Sequence, residues 1–291
     1  MDGLFTRVFY RVKRKLTYLL LVVILVSCNA RNGKSFLPDI PGYDNKGRQI
    51  FILHKKLLEI SGITYIDNRT LSAINDEDGK IFRVDFGEGK PASVDFGGKG
   101  DYEDLVFTGG NYYVLESKGD ISVVPVADPG SARKINFKKK SKIEFESLYL
   151  DKRSRKLVLL SKEQRMVEDA IVAYTFDPAE ERFSSDPVYT IPLKEVKKLM
   201  KDYSAECKPS AAAVHPILNK LFVIASVGKV LFTCTLDGQV ENVYFLNPDL
   251  FSQPEGICFS PGGDMFISNE GLQGKATIIR YSYQPLVTAA R

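Results

Sequence analysis

The sequence predicts an all-β fold, a five-bladed β-propeller with one inserted amphipathic helix, and three observations carry that expectation. A short motif recurs five times, at a spacing near 44 residues in all but one interval. Each recurrence is followed at fixed offsets by β-rich runs. The composition, 44% hydrophobic and 26% charged over 291 residues, is enough to bury a core.

The motif opens five segments: Glu59-Ile60-Ser61-Gly62-Ile63, Tyr102-Glu103-Asp104-Leu105, Phe145-Glu146-Ser147-Leu148, Lys208-Pro209-Ser210-Ala211-Ala212 and Gln253-Pro254-Glu255-Gly256-Ile257. With Glu59, Glu103, Glu146, Ser210 and Glu255 as markers, the spacings are 44, 43, 64 and 45 residues. A period near 44 is the signature of propeller blades, each a four-stranded antiparallel sheet. Second strands are expected at Leu71–Ile74, Tyr112–Leu115, Leu157–Leu160, Leu221–Ile224 and Met265–Ile267. Third strands follow turn residues at Gly79, Gly119, Asp169, Gly228 and Gly274, a hairpin signal met five times. Fourth strands are expected at Ala92–Phe96, Arg133–Phe137, Val188–Ile191 and Val240–Leu246.

The fifth repeat ends after its third strand, near Tyr283, which would leave an unpaired edge. The β-rich run Arg48–Leu53 is the expected fourth strand, closing the ring between the first and last blades. The 64-residue interval holds the helix. Leu193, Val196, Leu199, Met200 and Tyr203 fall at helical spacing with lysines opposite. Such a helix covers its own domain as a lid or buttress, or offers its face to a partner.

The N-terminus accounts for the charge. Arg7, Arg11, Lys13, Arg14 and Lys15 against Asp2 supply the whole net charge of +4, so the remainder of the chain is neutral. A neutral body argues against nucleic acid as a partner, because phosphate neutralisation needs a concentrated basic surface. The basic stretch precedes an uncharged run, Leu16–Ser27, too short at 1.5 Å per residue to cross a hydrocarbon core of roughly 30 Å. Leu25-Val26-Ser27-Cys28 resembles the bacterial lipobox, so residues 1–27 are expected to be a lipoprotein signal peptide and Cys28 the acylated residue that holds the protein on a membrane. Asn29 follows instead of the aspartate that retains enterobacterial lipoproteins at the inner membrane, which leaves the outer membrane as the favoured location. Residues 28–46 are expected to form a tether, 47–285 the propeller and 286–291 a tail. The other cysteines, Cys207, Cys234 and Cys258, are odd in number and contain no CxxC pair, which indicates neither a disulfide framework nor a thiolate zinc site, and Cys234 and Cys258, in apolar strand-like runs, are expected to be small buried hydrophobes.

These motifs together resemble the SdiA-regulated family of bacterial propeller proteins over roughly residues 48–285. The matching segments include Ser161-Lys162-Glu163 and Tyr113-Val114-Leu115 besides the five openings. The resemblance implies a five-bladed propeller distantly related to NHL-repeat propellers, with a calcium site and no established activity. The chain departs from that pattern at Lys208 and Val227.

Repetition has its own geometric consequence. If each motif opens an innermost strand, Glu59, Glu103, Glu146 and Glu255 converge on the central channel. Two carboxylates about 6 Å apart at an effective dielectric near 20 repel by about 3 kcal/mol. Such a cluster needs a cation, a bound base or protonation, and Ca²⁺ suits an all-carboxylate set. The competing reading makes the glutamates solvated, or latches between blades. Glu163 and Glu270, at second-strand ends, are candidate supporting groups for a metal. No GxSxG elbow or HExxH helix occurs, and Gly33-Lys34-Ser35 lacks the first glycine of a P-loop. His215, before Pro216, is expected at the surface in a turn. The run Lys138-Lys139-Lys140-Ser141-Lys142 reads as a solvated loop or as a binder of phosphate or lipid headgroups. Two functions remain open: a monomeric envelope lipoprotein that binds an unidentified ligand or protein partner, or a metal-dependent hydrolase of lactonase or phosphoesterase type.

Overall fold

The computed structural model describes residues 39–86, 90–138, 143–162, 169–271 and 274–285. It is a five-bladed β-propeller. Blade one is β2 (Ile60–Asp67), β3 (Thr70–Asn75), β4 (Asp78–Asp85) and β5 (Ala92–Lys99), and blade two is β6 (Tyr102–Thr108), β7 (Asn111–Glu116), β8 (Ile121–Pro125) and β9 (Arg133–Ile135). Blade three is β10 (Phe145–Asp151), β11 (Lys156–Ser161), β12 (Ala170–Asp177) and β14 (Tyr189–Pro192), with the short β13 (Arg182–Phe183) also paired to β12. Blade four is β15 (Lys208–His215), β16 (Lys220–Val227), β17 (Val230–Cys234) and β18 (Val240–Phe245). Blade five takes β19 (Pro254–Phe259), β20 (Met265–Asn269) and β21 (Thr277–Tyr281), and its outer strand is β1 (Gln49–Ile52).

The closure expected from the sequence is therefore present. Gln49, Ile50, Phe51 and Ile52 pair antiparallel with Arg280, Ile279, Ile278 and Thr277. The Phe51 ring stacks on Phe86 of blade one at 4.3 Å, so the closing strand also joins the two blades through their side chains.

Each blade alternates residues packed toward one neighbour with residues packed toward the other, as period-2 patterning dictates. Five apolar clusters result, one at each blade-to-blade interface. Ile74 and Ile81 meet Leu105 and Val114 between blades one and two. Leu115 and Val123 meet Leu148 and Tyr174 between two and three. Ile171 and Ile191 meet Val223 and Phe232 between three and four. Phe222 and Leu231 meet Ile257 and Ile279 between four and five. Cys258 and Phe266 meet Ile63 and Leu71 between five and one. Cys207, Cys234 and Cys258 are buried and form no disulfide among the described residues.

The helix, α1 (Leu193–Met200), is shorter than its apolar spacing suggested. Leu193, Val196 and Met200 insert into the interface of blades three and four, whereas Leu199 and Tyr203 stay exposed. Lys201 ends it in the left-handed conformation, which turns Tyr203 off the buried stripe. The helix is a wedge at the flank of the ring.

Two local expectations are corrected. Within the segment read as a tether, Ile40 and Tyr43 are buried among the residues of blades four and five, and the Tyr43 hydroxyl donates to the Gly263 carbonyl at 2.7 Å. His215 is fully buried and not a surface residue. Its Nδ1 accepts the backbone N–H groups of Ile217 and Leu218, and the rings of Phe259 and Tyr283 lie 4.9 and 4.8 Å away. Cys28 and Lys139–Lys142 lie outside the described residues.

Candidate functional site

All five innermost strands, β2, β6, β10, β15 and β19, carry one extra residue near their N-terminal ends. Tyr102 pairs with Glu116 and Asp104 with Leu115, so Glu103 bulges. The same offset makes Glu146, Ser210 and Glu255 the bulged residues in blades three, four and five. In blade one Ile60 pairs with Asn75 and Ile63 with Ala73, which puts Ser61 in the corresponding place. A bulge re-aims a side chain out of the pleat, and here it does so five times around one axis.

The register corrects one member of the expected acidic set. Glu59 is not the counterpart of Glu103; it stands two residues before Ser61, exposed, at the outer lip. Its counterparts are Asp101, Glu144, Lys208 and Gln253. The carbonyls of Glu59, Asp101, Glu144 and Gln253 accept the N–H groups of Asp76, Ser117, Lys162 and Glu270 at the ends of the second strands, and Lys208 pairs with Val227. Three tiers therefore surround the N-terminal mouth of the channel: Glu59, Asp101, Glu144, Lys208 and Gln253 at the lip; Ser61, Glu103, Glu146, Ser210 and Glu255 at the bulges; and Asp76, Ser117, Lys162, Val227 and Glu270, the partners of the lip residues, behind them.

The carboxyls of different blades lie within electrostatic reach of one another. Burial pushes Glu103 up to about 9, with the charges of Glu146, Asp101 and Glu255 adding to the rise and Lys162 opposing it. Burial raises Glu146 as well, and Lys162 restrains the shift by donating from Nζ to Oε1 at 2.6 Å. Glu255 is held at about 7 by burial and by the charges of Glu270 and Glu146. Glu270 also sits at about 7, through burial and then the charges of Asp76 and Glu59. Four of the expected site residues thus belong to one electrostatic cluster, Glu59 only from the lip. Glu163 lies outside the described residues.

Other side chains around the channel are occupied in holding blades together. Asp104, buried and held well above the usual carboxylate range by that burial, accepts the N–H of Leu105 and, across the blade boundary, that of Leu148, both at 2.8 Å. The Ser210 hydroxyl donates to the Pro254 carbonyl at 2.7 Å, and that of Ser268 to Ser61 at 3.0 Å. The latch expected of the glutamates is made by these neighbours instead. Where the inner strands crowd the axis, Gly62 and Gly256 leave no room for a side chain: a Cβ on Gly256 would sit 2.6 Å from the Ser61 carbonyl oxygen.

Sequence reasoning missed Lys162 and Lys229 as site residues. With Lys208 they line a pocket of about 310 Å³ between blades three, four and five, together with Glu146, Ser210, Ser226, Gln253 and Glu255. Lys229 donates from Nζ to the Ser252 carbonyl at 2.5 Å, and burial pulls its ammonium below the usual value. Only the position of Lys162 directly after the apolar run Leu157–Ser161 pointed toward the channel. The opposite mouth is a second cavity of about 290 Å³, where Asp104 and His215 are already engaged in structure.

No family model matches the chain, and no curated protein sequence matches it. Solved structures do resemble it. A structural genomics protein of unknown function from Bacteroides thetaiotaomicron is 13% identical, with a TM-score of 0.51 over 80% of this chain and 70% of that one. A luciferin-regenerating enzyme is 11% identical over 83% of this chain and 96% of that one, with a TM-score of 0.49. Virginiamycin B lyase from Staphylococcus aureus is 13% identical over 83% and 75%, with a TM-score of 0.44. What is shared is the β-propeller. Fold alone does not carry an activity.

The calcium implied by the motif resemblance does not fit the side chains as they stand. Among the described residues no three His, Cys, Asp or Glu groups are placed to hold a metal ion together. The Lys162 ammonium occupies the position beside Glu146 that a cation would take.

Proposed function

We propose that this protein is a ligand-binding module of the bacterial cell envelope, anchored to a membrane, the outer in preference to the inner, through an acylated Cys28. The observation that carries the binding reading is the pocket between blades three, four and five, where Lys162, Lys208 and Lys229 face Glu146 and Glu255 around about 310 Å³. That volume suits a small ligand, and the lining offers ammonium, carboxyl, hydroxyl and amide groups without a preformed metal. The resemblance of its motifs to the SdiA-regulated propellers supports this reading. The test is thermal melting and isothermal titration of the purified chain against small polar ligands. Saturable binding lost in Lys229→Met supports the reading, and equal binding by that variant places the ligand elsewhere.

Calcium at Glu103, Glu146 and Glu255 is a separate proposal, and it requires Lys162 to leave Glu146. Melts in excess Ca²⁺ and in chelator decide it. A hundredfold excess over the dissociation constant adds about 2.7 kcal/mol of stability, whereas coincident curves mean that Lys162 already satisfies the ring. The anchor is tested by Cys28→Ser, which is expected to leave an unprocessed precursor or to release the protein from membranes.

A second reading, hydrolysis at the same mouth, draws on Glu255 and Glu270, each near 7, the range in which a carboxyl can both give and take a proton at neutral pH. Hydrolysis of lactone or phosphoester substrates by the wild type but not by Glu255→Gln or Glu270→Gln is the result that would favour it.

A further inference from the structure

Corresponding positions in two of the inter-blade clefts carry the same arginine in different surroundings. Arg83 partners Ser72, which partners Thr64 on the innermost strand of blade one; Arg280 partners Phe266, which partners Cys258 on that of blade five. Thr64 and Cys258 each lie three residues beyond the bulge, so the two arginines occupy equivalent places. Between blades five and one the arginine is fully furnished. Arg280 donates from Nε and Nη2 to Asp264 Oδ2 at 3.0 and 2.6 Å, and its guanidinium lies 5.6 Å over the Phe266 ring. Phe86 stacks on Phe266 at 5.7 Å and on Phe51 at 4.3 Å. Between blades one and two the same count along the strands puts Thr70 in the place of Asp264, Ser72 in that of Phe266, Val126 in that of Phe86 and Val94 in that of Phe51. This cleft lacks the carboxylate and the three rings, and it keeps the arginine. It is open as a crevice of about 280 Å³, walled by Ile66, Ile81, Val94, Tyr112, Val124 and Val126, with Arg83 on its lining and Val94 and Val126 exposed. Arg83 gives one N–H to Thr70 Oγ1 at 3.5 Å. Asp67, exposed in the turn between β2 and β3, acts on it by charge but accepts first from Arg69 and Thr70, and Asp85 pairs with Arg69 at 3.5 Å. A guanidinium has five N–H groups, so donors remain for a ligand.

We propose that the crevice binds a small aromatic monocarboxylate, with its carboxylate on the Arg83 guanidinium and its ring against Val94, Tyr112 and Val126. The ligand restores from outside what blade five and its neighbour supply from their own chain: an anion for the arginine and a ring for the guanidinium to cover. The volume of about 280 Å³ lies just under the roughly 300–1,000 Å³ of drug-sized pockets, which limits the occupant to about one ring. An ammonium in the same place would face Arg83, and an amide or alcohol would forgo the charge-assisted contact. The crevice shares no residue with the pocket at the N-terminal mouth and does not depend on the reading proposed for it.

The test is titration calorimetry and thermal melting of the purified chain at pH 7.5 with 3-phenylpropionate, its carboxamide and hexanoate. 3-Phenylpropionate is expected to bind saturably and to raise the melting temperature, and the carboxamide to bind about tenfold more weakly. Arg83→Met should erase the preference for acid over amide, whereas Arg83→Lys should keep part of it. Val126→Phe, which puts back the ring that Phe86 supplies in the sister cleft, should abolish binding and leave the empty protein at least as stable. Thr70→Asp, which gives Arg83 the partner that Arg280 has, should abolish the preference for the acid. Arg83 and Val126 are exposed, so their variants are expected to fold, as far-UV circular dichroism and the unliganded melts will establish. Equal binding of acid and amide by the wild type, wild-type affinity in Arg83→Met and Val126→Phe, or no binding at millimolar concentration would each overturn the proposal. Hexanoate bound as tightly as 3-phenylpropionate would overturn the aromatic ligand class.

Discussion

At the scale of single residues, two buried groups set opposite pH dependences. His215 has its imidazole lowered to about 4 by burial, so it is neutral in the folded chain at pH 5, where the unfolded chain would protonate it. Its contribution is complete above about pH 6.5 and is lost as pH falls toward 4, to the extent of about 3 kcal/mol. Glu103 behaves in the other sense. With its carboxyl at about 9, the folded chain keeps a proton that the unfolded chain releases above the ordinary glutamate range, and stability falls as pH rises. His215→Asn keeps an acceptor for Ile217 and Leu218 but cannot titrate. Its urea midpoint, lower than wild type at pH 8, should approach the wild-type value between pH 6.5 and 4. Glu103→Gln should gain on the wild type by about 1–2 kcal/mol between pH 5 and 8, a figure discounted for solvent at the mouth. A pH-independent difference in either series would refute the corresponding environment.

At the scale of elements, the α1 wedge gives a sharp contrast. Val196 is fully buried between blades three and four, whereas Leu199 is 45% exposed. Val196→Asp places a carboxylate in an apolar interface and should cost about 3 kcal/mol or more, while Leu199→Asp should stay within about 0.5 kcal/mol, as thermal melts of the two will show. The blades themselves were legible because β-rich runs and turn residues recur with the 44-residue period. The site was legible only in part, and the bulges explain why. Matching letters aligned Glu59 with Glu103, but the pairing of Ile60 with Asn75 and of Tyr102 with Glu116 puts Ser61 there instead. One extra residue per inner strand decides which side chain enters the channel, and a bulge leaves no mark in composition. Lys229 was hidden for another reason: it occupies a turn between β16 and β17, and only the packing of blade four against blade five brings it to the pocket. His215 looked like a turn residue because the rings that bury it, Tyr43 and Tyr283, come from opposite ends of the chain.

At the scale of the whole molecule, the ring is held shut by contacts between its two ends. Besides the β1–β21 pairing, the Gly42 carbonyl accepts the Gln284 N–H at 2.8 Å, and Tyr43 and Tyr283 form a bridge beside His215. Removing residues before His54 would strip blade five of its outer strand, expose the β21 edge and uncover Phe86 and Phe266, which Phe51 shields. An open ring also loses the apolar packing of Ile40 and Tyr43 against blades four and five. The truncated chain should therefore melt about 10 °C or more below the intact propeller and associate through its free edge, visible by light scattering. If the loss is that of one strand and its contacts, a synthetic peptide of residues 39–53 supplied in trans should restore the melt. At a hundredfold excess over its dissociation constant it would return about 2.7 kcal/mol. Replacing Phe51 with Asp in that peptide should prevent the rescue, because the closing strand would then carry a charge into the Phe86 stack. A truncated chain that melts with the full-length protein, or a rescue indifferent to Phe51, would mean that the remaining blade contacts close the ring unaided.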